Sequence, residues 1–287
     1  DRIKTGIIAC LDKASALEPE DPLTLHRLAD YYKIWGESEK AIALFIQLIE
    51  LNPGLLAVRE QLADLYLRAD KTSDATKQLE AILRERPTNE RALFVLGGIK
   101  RQLDKLEEAA AHFETVLKIN PKFELAYYEL AGVRLFQNKP DITLATLEKA
   151  GEQFKPRFIT KFYAGLAHSS LHQYPKAIES LLEAEELAQA AEKNRLTHFF
   201  YFQLGAAYER NRQYETADKT FNKAIEMSPE YHNAMNYLGY MWADINRNLD
   251  EAAKHITMAN ELSPDNASYV DSLGWLYFRQ GKFTEAL

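Results

Sequence analysis

Four prolines recur at one fixed interval in the first half of the chain. Pro19, Pro53, Pro87 and Pro121 each follow the previous one by 34 residues. The residue before a proline is pushed out of the α region, so each proline is expected to end a helix. A period of this length is typical of repeated helical units. It therefore overrides the expectation of two separate domains that 287 residues alone would suggest.

A second pattern carries the same repeat to the end of the chain. The segments "FQLGAAYERNRQYETAD" (202–218) and "DSLGWLYFRQGKFTEAL" (271–287) share Leu-Gly, an aromatic three residues after the glycine and an alanine twelve residues after it. When the proline is numbered 32, position 8 of every repeat is Gly or Ala, and position 20 is Ala or Thr. Position 8 holds Ala29, Ala63, Gly97, Ala131, Gly165, Gly205, Gly239 and Gly274; position 20 holds Ala41, Ala75, Ala109, Thr143, Ala177, Ala217, Ala252 and Ala286. Small residues at both positions predict two helices that cross closely.

This skeleton resembles the tetratricopeptide repeat family along essentially the whole chain. The resemblance implies an all-α fold, namely a right-handed superhelical solenoid of antiparallel helix pairs with about 16 helices. We expect one solenoid domain over 1–287, with a partial repeat at 1–21 and a truncated one at 267–287. Full repeats are predicted at about 22–55, 56–89, 90–123, 124–157, 158–197, 198–231 and 232–266. Because both ends fall inside a repeat, the natural protein is expected to continue beyond this chain.

The composition argues against some classes of partner and shows no catalytic or metal-binding motif. A net charge of −7 argues against a nucleic-acid partner, which would require a basic stripe. No apolar run is long enough to span a bilayer, and a single cysteine, Cys10, excludes an internal disulfide. His168 and His172 have the spacing of a metal pair, but no further ligand accompanies them. We therefore predict no catalytic residues, no cofactor and no metal, and hence not an enzyme.

The resemblance also suggests where a partner would bind. First helices of such repeats line a concave groove, in which family members bind peptides or partner helices. Position 5 is aromatic in four consecutive repeats, at Phe94, Tyr128, Phe162 and Phe202. The other candidate contacts, at further groove positions, are Arg91, Arg101, Phe136, Phe199, Asn236, Tyr240 and Trp275. The aromatic stripe has two interpretations, a binding surface or a core buried between neighbouring first helices.

Two functional hypotheses follow. The first is a non-catalytic scaffold that binds a protein or peptide in the groove. The second is the docking or regulatory arm of a larger enzyme, with its catalytic domain outside this chain. Self-association through the solenoid ends is a further expectation. The last repeats resemble bacterial, in part envelope-associated, proteins of the family, so a bacterial origin is expected and the compartment, cytoplasmic or periplasmic, stays open.

Overall fold

The chain is entirely helical over the residues that the structure describes. The computed structural model describes residues 2–287, and side chains in that range other than those at 2–5, 12 and 15. It contains sixteen α-helices, one short 3-10 helix at Lys193–Arg195 and, in the described range, no strand. The α-helices are α1 (Arg2–Leu17), α2 (Pro22–Ile34), α3 (Ser38–Leu51), α4 (Leu56–Arg68), α5 (Thr72–Glu85), α6 (Glu90–Gln102), α7 (Leu106–Ile119), α8 (Glu124–Phe136), α9 (Pro140–Gly151), α10 (Phe158–Ser170), α11 (Tyr174–Ala191), α12 (His198–Arg210), α13 (Tyr214–Met227), α14 (His232–Asp244), α15 (Leu249–Leu262) and α16 (Ala267–Arg279). The all-α prediction and the helix number are confirmed.

The even-numbered helices from α2 to α16 are the first helices of the repeats, and the odd-numbered ones that follow are the second helices. Each of the seven pairs from α2–α3 to α14–α15 is joined by a short turn whose second residue has a positive φ, and the turn after α16 has the same conformation. These residues are Gly36, Asp70, Asp104, Asn138, His172, Arg212, Asn246 and Gly281. Gly, Asn and Asp adopt this left-handed conformation most readily, so the turn chemistry suits six of the eight positions. His172 is therefore a turn residue, and its Nδ1 lies 2.7 Å from the Tyr174 hydroxyl.

The predicted helix crossings are present. From Ala41 to Ala252, all seven position-20 residues are fully buried. At four of the five glycines of position 8, a Cβ would lie less than 3.0 Å from a side chain of the partner helix; at Gly274 the nearest atom would be 3.5 Å away. A Cβ on Gly205 would lie 2.8 Å from the Phe221 ring, and one on Gly239 would lie 3.0 Å from the Ala252 carbonyl oxygen. The crossings are thus tighter than an alanine would permit at these two positions.

Two predicted repeats, 158–197 and 232–266, are longer than 34 residues, and the structure shows where their extra residues lie. Helix α11 has 18 residues, whereas α13 has 14. The 3-10 helix follows α11. The residues by which the repeat 158–197 exceeds the 34-residue period therefore lie at the end of its second helix and in the 3-10 helix. The extra residue in "NRNLD" falls in the turn before α15, where Asn246 and Asn248 both have positive φ.

The chain divides into two compact units, Asp1–Val133 and Arg134–Leu287, with the boundary inside α8. They are called the first unit and the second unit below, and each is described by itself. In the first unit, α2 packs on α3, α4 on α5 and α6 on α7; in the second, α10 packs on α11, α12 on α13 and α14 on α15. The assignment of all 287 residues to one solenoid domain, and the exact repeat boundaries, stay predictions.

Candidate functional site

Two members of the aromatic stripe at position 5 are buried. Tyr128 is 7% exposed and Phe162 is 8% exposed. The Phe162 ring stacks on Phe158, with centroids 5.3 Å apart, and contacts Phe200 at 5.9 Å. The hydroxyl of Tyr128 donates to Glu124 Oε1 at 2.6 Å. Of the two interpretations of the stripe, burial therefore describes these two rings, and Phe162 packs against rings of its own unit.

The other two members of the stripe are half-buried, for the same reason. Phe94 packs on Phe123 at 4.9 Å, and Phe202 packs edge-on against Tyr237 at 5.0 Å. Each thus leaves only part of its ring for a partner. Asn236, at position 5 of the next repeat, is 5% exposed, so it too is not a surface contact.

The exposed aromatic side chains lie at other positions of the first helices. Among the described helical residues, those exposed are Phe136 (72%), Phe199 (44%), Tyr240 (39%) and Phe278 (50%). All four lie on first helices of the second unit, at positions 13, 2, 9 and 12 of their repeats. Position 12 is one of the positions expected to face the predicted groove, so the exposure of Phe278 agrees with its place in the repeat.

Helices α14 and α16 bring two of these rings and that of Trp275 together around an open cavity. Tyr240, Trp275 and Phe278 line it together with Val270 and Asp271, and its volume is about 660 Å³. The Trp275 and Phe278 rings stack with centroids 5.4 Å apart. We call the surface formed by Tyr240, Val270, Asp271, Trp275 and Phe278 the aromatic surface.

Charged groups of both signs lie near the aromatic surface. The pKa of Tyr240 is raised by burial first and then by the carboxylates of Asp244 and Asp271. Burial is also the main cause of the raised pKa of Glu209, against which the Arg210 guanidinium, 3.3 Å away, acts in the opposite direction.

The two candidate arginines lie in the first unit and are already paired. Arg91 contacts Asp64 at 2.5 Å, which links α6 to α4. Arg101 contacts Glu129 at 3.1 Å, which links α6 to α8. Both guanidinium groups are exposed, but their charges are balanced by the neighbouring first helix. Sequence reasoning missed these partners because Asp64 and Glu129 are each about 27 residues from the arginine they contact, one repeat away along the chain.

Sequence reasoning also missed a cavity of about 410 Å³ beside Gly98 on α6. Leu67, Phe94, Val95 and Phe113 contribute apolar lining, and Arg101 and Glu129 line it as well. A signal for it was present in the sequence, because Gly98 follows Gly97 and only Gly97 stands at a helix crossing.

The two histidines with the spacing of a metal pair have other neighbours. His168 Nδ1 lies 2.8 Å from Gln173 Oε1, so it has a neighbour on its own repeat rather than a metal partner. Within the described part of the chain, no three His, Cys, Asp or Glu side chains come together as a metal site would require. None of its helices combines the length and apolar character needed to cross a bilayer.

Comparison with known proteins agrees with the repeat pattern. Family models described as tetratricopeptide repeat match residues 24–55, 60–122 and 202–267, which together exceed half of the chain. A TPR repeat-containing protein of Pseudomonas aeruginosa is 35% identical over 78 residues, covering 27% of this chain and 13% of the relative. Anaphase-promoting complex subunit 3 of Schizosaccharomyces pombe is 27% identical over 136 residues, covering 42% of this chain and 20% of the relative. The chain thus aligns with a minor part of either relative.

The fold is also found among solved structures. The Cut9–Hcn1 hetero-tetramer of the anaphase-promoting complex contains a chain that matches with a TM-score of 0.67. The match covers 95% of this chain and 52% of that one, at 15% identity. At this identity the similarity establishes the fold alone.

Proposed function

Because the chain belongs to the tetratricopeptide repeat family, we propose that it is a non-catalytic scaffold that binds a segment of a partner protein on its first helices. One observation carries the proposal. Every aromatic side chain that is exposed within a described helix lies on a first helix, whereas the second helices expose only aliphatic residues and methionines among their large apolar side chains. The aromatic surface of the second unit is the site that we assign to the partner.

The aromatic surface has the composition of a binding site. Contiguous exposed apolar area is uncommon on soluble proteins unless a partner covers it. Each large ring can bury about 150–250 Å², and interface energy concentrates in a few such side chains. Phe278 is half exposed and stacks on Trp275, so it is presented as a rigid pair of rings rather than as a mobile side chain. A rigid pair loses little side-chain entropy when it binds.

The two candidate arginines of the first unit do not enter the proposed site. Arg91 and Arg101 are paired with acidic residues of their own unit. We therefore do not assign them to partner recognition, and the partner is expected to be oriented by apolar contacts first.

The experiment begins with random peptides displayed on phage and selected on the intact chain. Selected peptides are then measured against Phe278→Ala and Tyr240→Ala by fluorescence polarisation. We expect Phe278→Ala to weaken binding at least tenfold, which corresponds to about 1.4 kcal/mol. Circular dichroism should show unchanged helicity, because the ring is half exposed.

A matched control uses an apolar side chain of similar exposure on a second helix. Met258 on α15 is 43% exposed. Met258→Ala should leave peptide binding unchanged. If the selected peptides bind equally well to both aromatic-surface variants, or if Met258→Ala is the variant that loses binding, the proposed site is wrong.

A further inference from the structure

Tyr269, in the first turn of α16, is a buried residue that the repeat pattern does not require. It is 3% exposed, and its ring packs with Met235 and Ala259. At the same position, the third of each repeat, the earlier first helices have Thr24, Val58, Ala92, Ala126, Thr160, Phe200 and Ala234. Six of these side chains are smaller, and the ring of Phe200 has no hydroxyl. The hydroxyl of Tyr269 is therefore specific to this repeat.

That hydroxyl joins α16 to the first turn of α14. It donates to Asn233 Oδ1 at 2.6 Å and lies 2.7 Å from His232 Nδ1. A phenolic hydroxyl has one hydrogen, and an amide oxygen only accepts. The Nδ1 atom of His232 therefore carries a hydrogen and donates it to the hydroxyl oxygen. Both bonds are compatible with a neutral or a protonated imidazole, so the link between the two first helices does not depend on the charge of His232.

A second link joins the same residue to α15. The Nδ2 group of Asn260 donates to the Tyr269 carbonyl oxygen at 3.0 Å and to the Ile256 carbonyl oxygen at 2.9 Å. Asn260 stands at position 28, which is aliphatic in four other repeats, at Ile49, Leu83, Leu117 and Ile225. Tyr269 and Asn260 thus depart from the repeat at one junction, where α16 meets both helices of the preceding pair.

The aromatic surface lies on the two first helices that the hydroxyl joins. Tyr240 is on α14, and the other four members of the surface follow Tyr269 along α16. The open volume of about 660 Å³ between them therefore depends on the distance between α14 and α16 and on the rotation of α16 about its axis. A fully satisfied buried polar network selects one such arrangement more narrowly than apolar contact does.

We propose that Tyr269 is a positioning residue for the aromatic surface. Through its hydroxyl it holds α16 at the distance and rotation from α14 that present Trp275 and Phe278 to a partner together with Tyr240. Because the residue is buried, it acts through these rings and not by contact with the partner. The inference rests on the proposed function for its effect on binding, whereas its effect on the rings is independent of any partner.

The first test uses no partner. The three tryptophans are labelled as 5-fluorotryptophan, and fluorine NMR follows the Trp275 signal, which Trp275→Phe identifies by its loss. Tyr269→Phe keeps the ring and removes the hydroxyl. We expect it to shift or broaden the Trp275 signal and to leave the signal of Trp35, in the first unit, unchanged. Circular dichroism should show the same helicity as in the wild type.

The second test measures the peptides selected on the intact chain. Tyr269→Phe should weaken their binding about fivefold, which corresponds to about 1 kcal/mol. Asn233→Ala removes the acceptor of the same bond and should have a similar effect. The double variant should bind no more weakly than either single variant, because both changes remove one link. Effects that add would show that Asn233 and Tyr269 act separately, which contradicts the inference.

Tyr201→Phe is the matched control. Tyr201 lies on α12 in the same unit, is 4% exposed, and its hydroxyl donates to Glu185 Oε1 of α11 at 2.9 Å. This variant also loses the hydrogen bond of a buried tyrosine, but that bond joins a first helix to a second helix. The Trp275 signal and the peptide affinity should both stay unchanged. If Tyr201→Phe moves the Trp275 signal as much as Tyr269→Phe does, the positioning role is wrong.

Failure of the inference can be told apart from failure of the proposed function. An unchanged Trp275 signal in Tyr269→Phe overturns the inference, whatever happens to binding. If Phe278→Ala weakens binding and Tyr269→Phe does not, the inference is wrong and the proposed function stands. If Tyr269→Phe shifts the Trp275 signal while neither variant weakens binding, the positioning role stands and the aromatic surface is not the binding site.

Discussion

The first helices of the two units contact their successors through different chemistry. In the first unit the contacts are polar: Lys33 bonds Gln61, Arg91 pairs with Asp64, and Arg101 pairs with Glu129. In the second unit they are largely aromatic: Phe162 contacts Phe199 at 6.2 Å, and Phe202 contacts Tyr237 at 5.0 Å. Both units keep the same small residues at the crossing of first and second helices. The repeat thus determines how the helices of one pair pack, and leaves the contact between successive first helices free to vary.

The difference has an energetic consequence. Ion pairs between exposed side chains contribute about 0–1 kcal/mol each and weaken with salt. Aromatic pairs contribute about 0.5–1.5 kcal/mol beyond the area that they bury. We therefore expect the first helices of the second unit to depend on single rings, and those of the first unit to tolerate the loss of single contacts.

The largest effect is expected for Phe162→Ala. Removal of a buried phenylalanine ring typically costs about 3–5 kcal/mol, because the neighbours fill the space only in part. Chemical denaturation should show this loss, and hydrogen exchange should locate it in α10 and α12. Unchanged stability with loss of peptide binding would instead make Phe162 a contact residue.

A smaller effect, with opposite signs in the two units, is expected for alanine at two helix glycines. In Gly239→Ala of the second unit, the new methyl group would press on Ile256 and on the Ala252 carbonyl. We expect this overpacking to lower the free energy of unfolding by about 1–3 kcal/mol. In Gly98→Ala of the first unit the methyl group enters open space, so a gain of about 0.5–1 kcal/mol is expected. Denaturation midpoints of the two variants on the same side of the wild type would contradict this.

The free energy of unfolding is expected to rise by about 1 kcal/mol in Arg212→Asn. Arg212 has φ of +60° in the turn between α12 and α13, a conformation that costs an L-residue about 1–2 kcal/mol and that asparagine tolerates better. The first unit has Gly36, Asp70 and Asp104 at the equivalent positions and should offer no such gain. Asp104→Asn is the control, and a gain there as large as at Arg212 would show that backbone conformation is not the cause.

The smallest effect is expected when the ion pairs of the first unit are removed. Arg91→Met, which keeps much of the aliphatic length and loses the charge, should cost less than about 1 kcal/mol, because both partners are exposed. The cost should shrink further in concentrated salt, whereas the cost of Phe162→Ala should persist. A loss at Arg91 that equals the loss at Phe162 would remove the distinction between the two units.

The helix pairs could be predicted because their signals are local and recur at every repeat. The crossings at Gly205 and Ala217, for example, follow from two small residues twelve apart. From this pattern alone, alanine would be expected to fit at Gly205, because Ala29 occupies the same repeat position against Phe45 in the first unit. Only the structure gives the separation between the helices, with the Phe221 ring within 2.8 Å of a Cβ on Gly205.

The candidate site was less predictable. Tyr240 and Phe199 are exposed as expected, whereas Tyr128, Phe162 and Asn236 are buried. The role of the exposed residues in binding stays a prediction.

The sequence by itself determined that this protein is a series of helix pairs, because the spacing of small residues, turn residues and prolines specifies each pair within about 34 residues. The tertiary structure decided which aromatic side chains remain accessible. Phe162 is covered by Phe200 and Phe199 of the following repeat, and Phe202 by Tyr231 and Tyr237. How much of one first helix is exposed depends on the size and direction of the side chains on the next first helix. The repeat pattern is the same in both units, so it carries no information about that contact.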